Sequence, residues 1–162
     1  MAREAYGTEG AAATGGGPSR LPAVTPDRPS APETHLEETL GIEGFEFDGE
    51  ATARGRMPVS DAIKQPFGIV HGGAFASLAE SVCSRGTYEA VGPENIAMGQ
   101  SNETTFLRPA TEGTIEAVAT ARHRGRTSWV WDVEMTDSEG RLCALTRMLI
   151  AIRPMPGGPP AA

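Results

Sequence analysis

The apolar and polar positions divide the chain into a patternless start, one helical stretch and a run of alternating stretches. From Gly72 to about Val91, the residues Phe75, Leu78, Ala79, Val82 and Cys83 keep the i, i+3, i+4, i+7 rhythm of a helix with one buried stripe. Gly92-Pro93 ends it. A meander of strand-like segments follows: Ile96–Leu107, Thr114–Arg124, Thr127–Thr136 and Arg141–Ile152. Pro109 to Gly113, Gly125 and Ser138-Glu139-Gly140 punctuate the turns between them. Ahead of the helix, His35 to Leu40 suits a short helix closed by Gly41, and Gly44–Asp48 with Ala51–Pro58 reads as two short strands around Gly49. Asp61–Ile69 is loop-like, with Pro66 and Gly68 as breakers.

A hairpin, one long helix and then an antiparallel sheet predict an α+β domain whose sheet curls around the helix, the hotdog arrangement. The chain of 162 residues is one domain's worth, and no internal repeat is present. Residues 1–34 contain Gly-Ala-Ala-Ala-Thr-Gly-Gly-Gly-Pro and Pro-Asp-Arg-Pro-Ser-Ala-Pro, and the chain closes on Pro-Met-Pro-Gly-Gly-Pro-Pro-Ala-Ala. Such compositions bury too little apolar area to offset the entropy of ordering, so residues 1–34 and 155–162 are expected to be disordered tails around a domain at 35–154.

Charge and composition then narrow the function. The net charge of −7 arises from 14 basic and 21 acidic residues. Such a surface repels a polyanion and disfavours nucleic-acid binding, although a local arginine cluster can still hold a small anion. No stretch approaches the roughly 18 apolar residues of a spanning helix, and the N-terminus carries no apolar signal region. No membrane association and a cytoplasmic location are the expectation. Cys83 and Cys143 lack metal-like spacing and read as small buried residues, a single disulfide being the other reading. His35, His71 and His123 supply too few suitably spaced ligands for a metal site.

The chemistry concentrates in Gln65-Pro-Phe-Gly-Ile-Val-His71-Gly72-Gly73-Ala-Phe-Ala-Ser-Leu-Ala-Glu80. Two glycines at a helix start leave backbone N–H groups uncovered at the positive end of the helix dipole, a place suited to a developing oxyanion. They equally permit tight packing of the helix start. Glu80 follows on the same helix, with Ser84 one turn further on its face. A carboxylate on a helix with a buried stripe is costly unless paired or employed. That suggests a nucleophile or general base, the competing reading being an ion pair at an oligomer interface. Gly72 and Glu80 are eight residues apart, about 12 Å along a helix, so one carbonyl carbon cannot touch both in a single chain. If both act, the site is shared across a two-fold axis and the protein is a dimer or larger. His71 suits a histidine hydrogen-bonded to backbone at the helix start as well as an acid or base. Arg122, Arg124 and Arg126 fall at i, i+2 and i+4, a basic stripe suited to the phosphates of a nucleotide carrier. Trp129 and Trp131 share a face and read as packing.

The segments GIVHGGAFASLAES, MGQSNETTFLRP and RTSWVWDVEMTDSEGRLCALTRMLIAIRP, in that order, resemble the hotdog thioesterases of the 4-hydroxybenzoyl-CoA type found in Arthrobacter. The resemblance spans about residues 35–154. It implies hydrolysis of an acyl-CoA thioester with an aromatic acyl group, no cofactor beyond the coenzyme A of the substrate, and an oligomer built as a dimer of dimers. It further implies Glu80 as attacking carboxylate or base, Gly72 N–H as the group polarising the thioester carbonyl, and Gln65 and His71 as support for that end. Ser84 stands where the related enzyme has Thr and keeps its hydroxyl. CoA contacts fall on Arg108, Arg126, Thr127 and Arg153, with Arg126 replacing a Ser of the related enzyme. The alternatives are another acyl-CoA (dihydroxynaphthoyl, phenylacetyl-type or medium-chain) or a non-catalytic acyl-CoA sensor. The sensor reading lacks an attached DNA-binding segment, and a hotdog dehydratase lacks its helix-borne Asp–His pair.

Overall fold

The computed structural model describes residues 35–155. The stretches read as tails lie outside the described residues, apart from Met155, whose N–H donates to Glu94 O at 2.7 Å. A one-turn helix α1 (Leu36–Leu40) opens the fold, capped by the His35 side chain and closed by Gly41 at φ 69°. Strands β1 (Glu43–Phe47) and β2 (Thr52–Pro58) follow as a hairpin. The segment read as loop holds a turn of 3-10 helix at Asp61–Ile63 and an isolated bridge between Lys64 and Val70. Helix α2 (Gly72–Val91) crosses the molecule and is stopped by Gly92 at φ 81°. Strands β3 (Asn95–Phe106), β4 (Thr114–Arg124), β5 (Ser128–Thr136) and β6 (Leu142–Pro154) complete the chain.

The strands form one six-stranded sheet in the order β1-β2-β4-β5-β6-β3, with each neighbouring pair antiparallel. The connection through α2 therefore carries the chain from the hairpin edge to the far edge, where β3 pairs with β6 and leaves its other side open. This is the hotdog fold: one long helix wrapped by an antiparallel sheet.

The alternation along each strand shows why the helix sits on one face. Ala53 and Met57 of β2, Ile115, Ala117 and Ala119 of β4, Trp131, Val133 and Met135 of β5, and Met148 and Ile150 of β6 are all buried. They meet the predicted stripe of α2, in which Phe75, Leu78, Ala79, Val82 and Cys83 are buried too. Close approach is needed at two points. A Cβ on Gly86 would come within 2.8 Å of Ala53 Cβ, and one on Gly55 within 2.6 Å of Val82 Cγ2. Both cysteines are free and buried, and Trp129 packs on Trp131 with ring centroids 5.6 Å apart.

One polar peg crosses this apolar layer. Trp131 Nε1–H donates to Thr87 Oγ1 at 3.0 Å, and the Thr87 hydroxyl donates on to Cys83 O at 2.8 Å. Thr87 and Trp131 are both fully buried. Thr87→Val keeps the volume and strands the indole N–H, which costs about 1–3 kcal/mol. Urea unfolding should show that loss with an unchanged dependence on urea, and wild-type stability would mean that the bond contributes nothing.

Candidate active site

The segment before α2 is a tight loop held at several points. Gln65 N–H donates to Ile69 O and Gly68 N–H to Gln65 O, both at 2.9 Å. Pro66 takes the second turn position, where its fixed φ fits, and Gly68 adopts φ 78°. Val70 N–H donates to Ala110 O and His71 N–H to Ile63 O, both at 2.8 Å. The loop thus delivers His71 to the helix start in a fixed pose.

There the imidazole caps the helix: His71 Nδ1 accepts from Gly73 N–H at 2.9 Å. The geometry makes an asymmetry between the two glycines. The Gly73 N–H is occupied, whereas the Gly72 N–H meets no acceptor among the described residues and lies at the positive end of a 20-residue helix. This end opens on a cavity of about 590 Å³ lined by Gln65, His71, Gly72, Phe75, Phe106 and Arg108. The half-exposed Phe106 ring lies across Gly72, where a Cβ would come within 2.7 Å of it. Gln65, His71, Gly72 and Arg108 are therefore brought together.

Glu80 and Ser84 belong to a different cavity, of about 370 Å³, shared with His35, Leu36, Ser77 and Ser81. Glu80 does not carry the burial cost expected from the sequence, because α2 turns this flank away from the core of its own chain and the side chain is exposed. A different feature sets it apart. No cation or donor reaches its carboxylate among the described residues, so an ion pair within the chain is excluded there. The neighbouring Cys83 thiol is no rival nucleophile: burial, with the Glu80 charge adding to it, pushes its pKa far above the usual thiol range. Neither cavity contains both Gly72 and Glu80.

The arginines separate in the same way. Arg126 and Thr127 lie in the turn between β4 and β5, and Arg153 Nη1 donates to Thr127 O at 3.2 Å, so these three group together. Arg108 sits at the opposite end of the sheet, its N–H on Cys143 O at 3.1 Å. Cys143 and Arg153 are ten residues apart on β6, about 33 Å at strand rise.

The expected stripe of Arg122, Arg124 and Arg126 does not form. The β4–β5 register shifts between Ala121 and His123, and this bulge breaks the alternation that would put the three on one face. Arg122 instead pairs with Asp132 at 2.9 Å, Arg124 stacks on Trp129 with its guanidinium 4.5 Å from the ring centroid, and Arg126 follows the end of the strand. Arg147 also pairs with Asp132 at 2.9 Å. Its hydrogen bond, with that of Arg122, holds the Asp132 carboxyl below the usual range against partial burial. Two contacts at glycines are not foreseen from the sequence: Phe106 on Gly72, and Glu80 against Gly99 of β3. A glycine inside a strand is itself a signal of close approach, whereas nothing in the sequence placed Phe106.

One long helix wrapped by a six-stranded antiparallel sheet is the frame of the hotdog enzymes. The family model of the thioesterase superfamily matches residues 67–144. The chain is 39% identical over 108 residues to a 1,4-dihydroxy-2-naphthoyl-CoA hydrolase of Escherichia coli, covering 67% of this chain and 79% of that one. It is 33% identical over 117 residues to a proofreading thioesterase of Cronobacter turicensis, covering 72% and 85%. The crystal structure of a thioesterase from Haemophilus influenzae superposes with a TM-score of 0.70 at 30% identity, covering 75% of this chain and 85% of that one. The chain belongs to the thioesterase superfamily and is an acyl-CoA thioesterase. The relatives are named for dihydroxynaphthoyl-CoA or as esterases and proofreading thioesterases, so a specific closeness to the 4-hydroxybenzoyl-CoA type is not shown.

The cap separates two roles for His71. His71→Ala should lower stability by about 0.5–2 kcal/mol and slow turnover. His71→Asn, whose side-chain oxygen can accept from the same N–H, should restore both. Equal loss of turnover in the two variants, measured beside their melting temperatures, would show that the imidazole itself takes part in the chemistry.

Proposed function

We propose that the protein hydrolyses an aromatic acyl-CoA thioester to the free acid and CoA, with Glu80 of one protomer and the Gly72 N–H of its partner acting on the same carbonyl. The observation that carries this reading is the placement on one rigid helix of a carboxylate and a helix-end donor, both without partners among the described residues, each facing its own cavity. Two antiparallel copies joined along the open edge of β3 bring the C-terminal end of one β3, beside Gly72 and Arg108, to the N-terminal end of the other. That second end lies beside Arg153, because Ile96 pairs with Arg153 in the sheet. The phosphates of one CoA then meet Arg108 from one protomer and Arg126, Thr127 and Arg153 from the other. Two such dimers complete the proposed assembly.

In the covalent route a Glu80 oxygen attacks the thioester carbon, and the carbonyl oxygen takes the developing charge against the Gly72 N–H. Collapse breaks the C–S bond and releases CoA thiolate, leaving a mixed anhydride that water hydrolyses to the acid and the Glu80 carboxylate. In the general-base route Glu80 takes a proton from water as the oxygen attacks, and the same C–S bond breaks. Gln65 and His71 hold the donor end in place, and the Ser84 hydroxyl orients water or substrate.

Glu80→Ala should lower kcat by about 10²–10⁴-fold and leave the melting temperature unchanged; near-normal turnover would sink the assignment. Gly72→Pro removes the donor N–H at a helical position that proline tolerates, the exposed Phe106 ring turning aside. Mixed dimers of Glu80→Ala and Gly72→Pro subunits, each inactive alone, should regain activity, since one of their two sites is intact. Failure of mixed dimers to turn over would place each site within one chain.

The aromatic preference draws on the dihydroxynaphthoyl-CoA hydrolases among the relatives and on the resemblance to the 4-hydroxybenzoyl-CoA type. CoA release from 4-hydroxybenzoyl-CoA, benzoyl-CoA and 1,4-dihydroxy-2-naphthoyl-CoA should be fast beside hexanoyl-CoA and palmitoyl-CoA. Faster release from the aliphatic esters would keep the reaction and discard the aryl substrate.

A further inference from the structure

Among the described residues Glu80 has no polar anchor, so its direction there is set by what it packs against. That neighbour is Gly99 on β3. A Cβ built on Gly99 would come within 2.7 Å of Glu80 Cδ and 3.2 Å of Cγ, and would overlap Oε1. The backbone does not ask for glycine there: Gly99 is absent from the residues at positive φ, and a strand interior favours alanine over glycine by roughly 0.5–1 kcal/mol. The three atoms nearest to such a Cβ all belong to Glu80, the far end of an exposed side chain, so a side chain at position 99 obliges the carboxylate to move. The strand is shaped around the same point, because the β3–β6 register shifts between Gly99 and Ser101. Bulges of this kind re-aim groups beside functional sites.

We propose that Gly99 is the positioning residue for Glu80: the side chain it lacks leaves a notch on the helix-facing side of β3. In that notch the Glu80 carboxylate lies. This rests on the reading of Glu80 as the catalytic carboxylate. A methyl group at position 99 pushes the carboxylate out of the notch without touching the helix-end donor, the CoA-facing arginines or the core. The effect belongs to kcat and not to KM, and a displacement of about 1 Å is enough to cost about 10²-fold.

The test is a cycle of four proteins: wild type, Gly99→Ala, Glu80→Asp and the double variant, each measured for kcat, KM and melting temperature, with Glu80→Ala as reference. Gly99→Ala is expected to lose about 10²-fold in kcat with KM little changed and no fall in melting temperature. Glu80→Asp withdraws the carboxylate by one methylene, so it should cost activity in the wild-type background. In the Gly99→Ala background it should cost nothing or restore turnover, because the shorter side chain clears the new methyl. Wild-type kcat in Gly99→Ala would overturn the proposal. So would a double variant in which the two losses simply multiply, since that pattern belongs to a glycine with a structural role. Normal turnover in Glu80→Ala would instead overturn the assignment of Glu80, on which the proposal rests.

Discussion

The seating of α2 on the sheet is the contact on which the rest of the molecule depends. Its stripe of Phe75, Leu78, Ala79, Val82 and Cys83 is buried against the sheet, and removal of that apolar surface from water is the main favourable term. Burial alone leaves a helix free to slide or roll. The two glycines at the closest approach, Gly55 and Gly86, and the Trp131–Thr87–Cys83 hydrogen-bond peg remove that freedom. With the buried stripe fixed, the opposite flank is fixed as well: Ser77, Glu80, Ser81 and Ser84 project together into one cavity at the side of the helix.

Rigidity of the helix then becomes a constraint on chemistry. The donor at Gly72 and the carboxylate at Glu80 are held at a set separation, and no side-chain rotation closes it. In the proposed assembly each chain supplies two half-sites, which a second copy joins along the open edge of β3. The arginines follow the same division, with Arg108 at the donor end and Arg126 and Arg153, beside Thr127, at the other. An acidic protein can thus keep positive charge at selected points, the places proposed for the phosphates of CoA, while Arg122 and Arg147 share the single carboxylate of Asp132.

The contiguous parts of this design were legible in the residues. The helix announced itself by period and by Gly92-Pro93. The loop from Gln65 to Gly73 is a local motif whose turn residues prescribe its shape, and the separation of Gly72 from Glu80 follows from helix rise alone. These features depend on neighbours in sequence, so sequence determined them. The basic stripe failed because alternation assumes an unbroken strand, and one bulge after Ala121 sends Arg122 and Arg124 to different partners. The exposure of Glu80, the Phe106 ring over Gly72 and the notch at Gly99 arise where residues far apart in the chain meet. Only the crossing of α2 to the far edge, which sets β3 beside β6 and beneath the helix flank, decides them. That crossing is selected by the burial of the whole apolar layer at once, a property that no single segment carries.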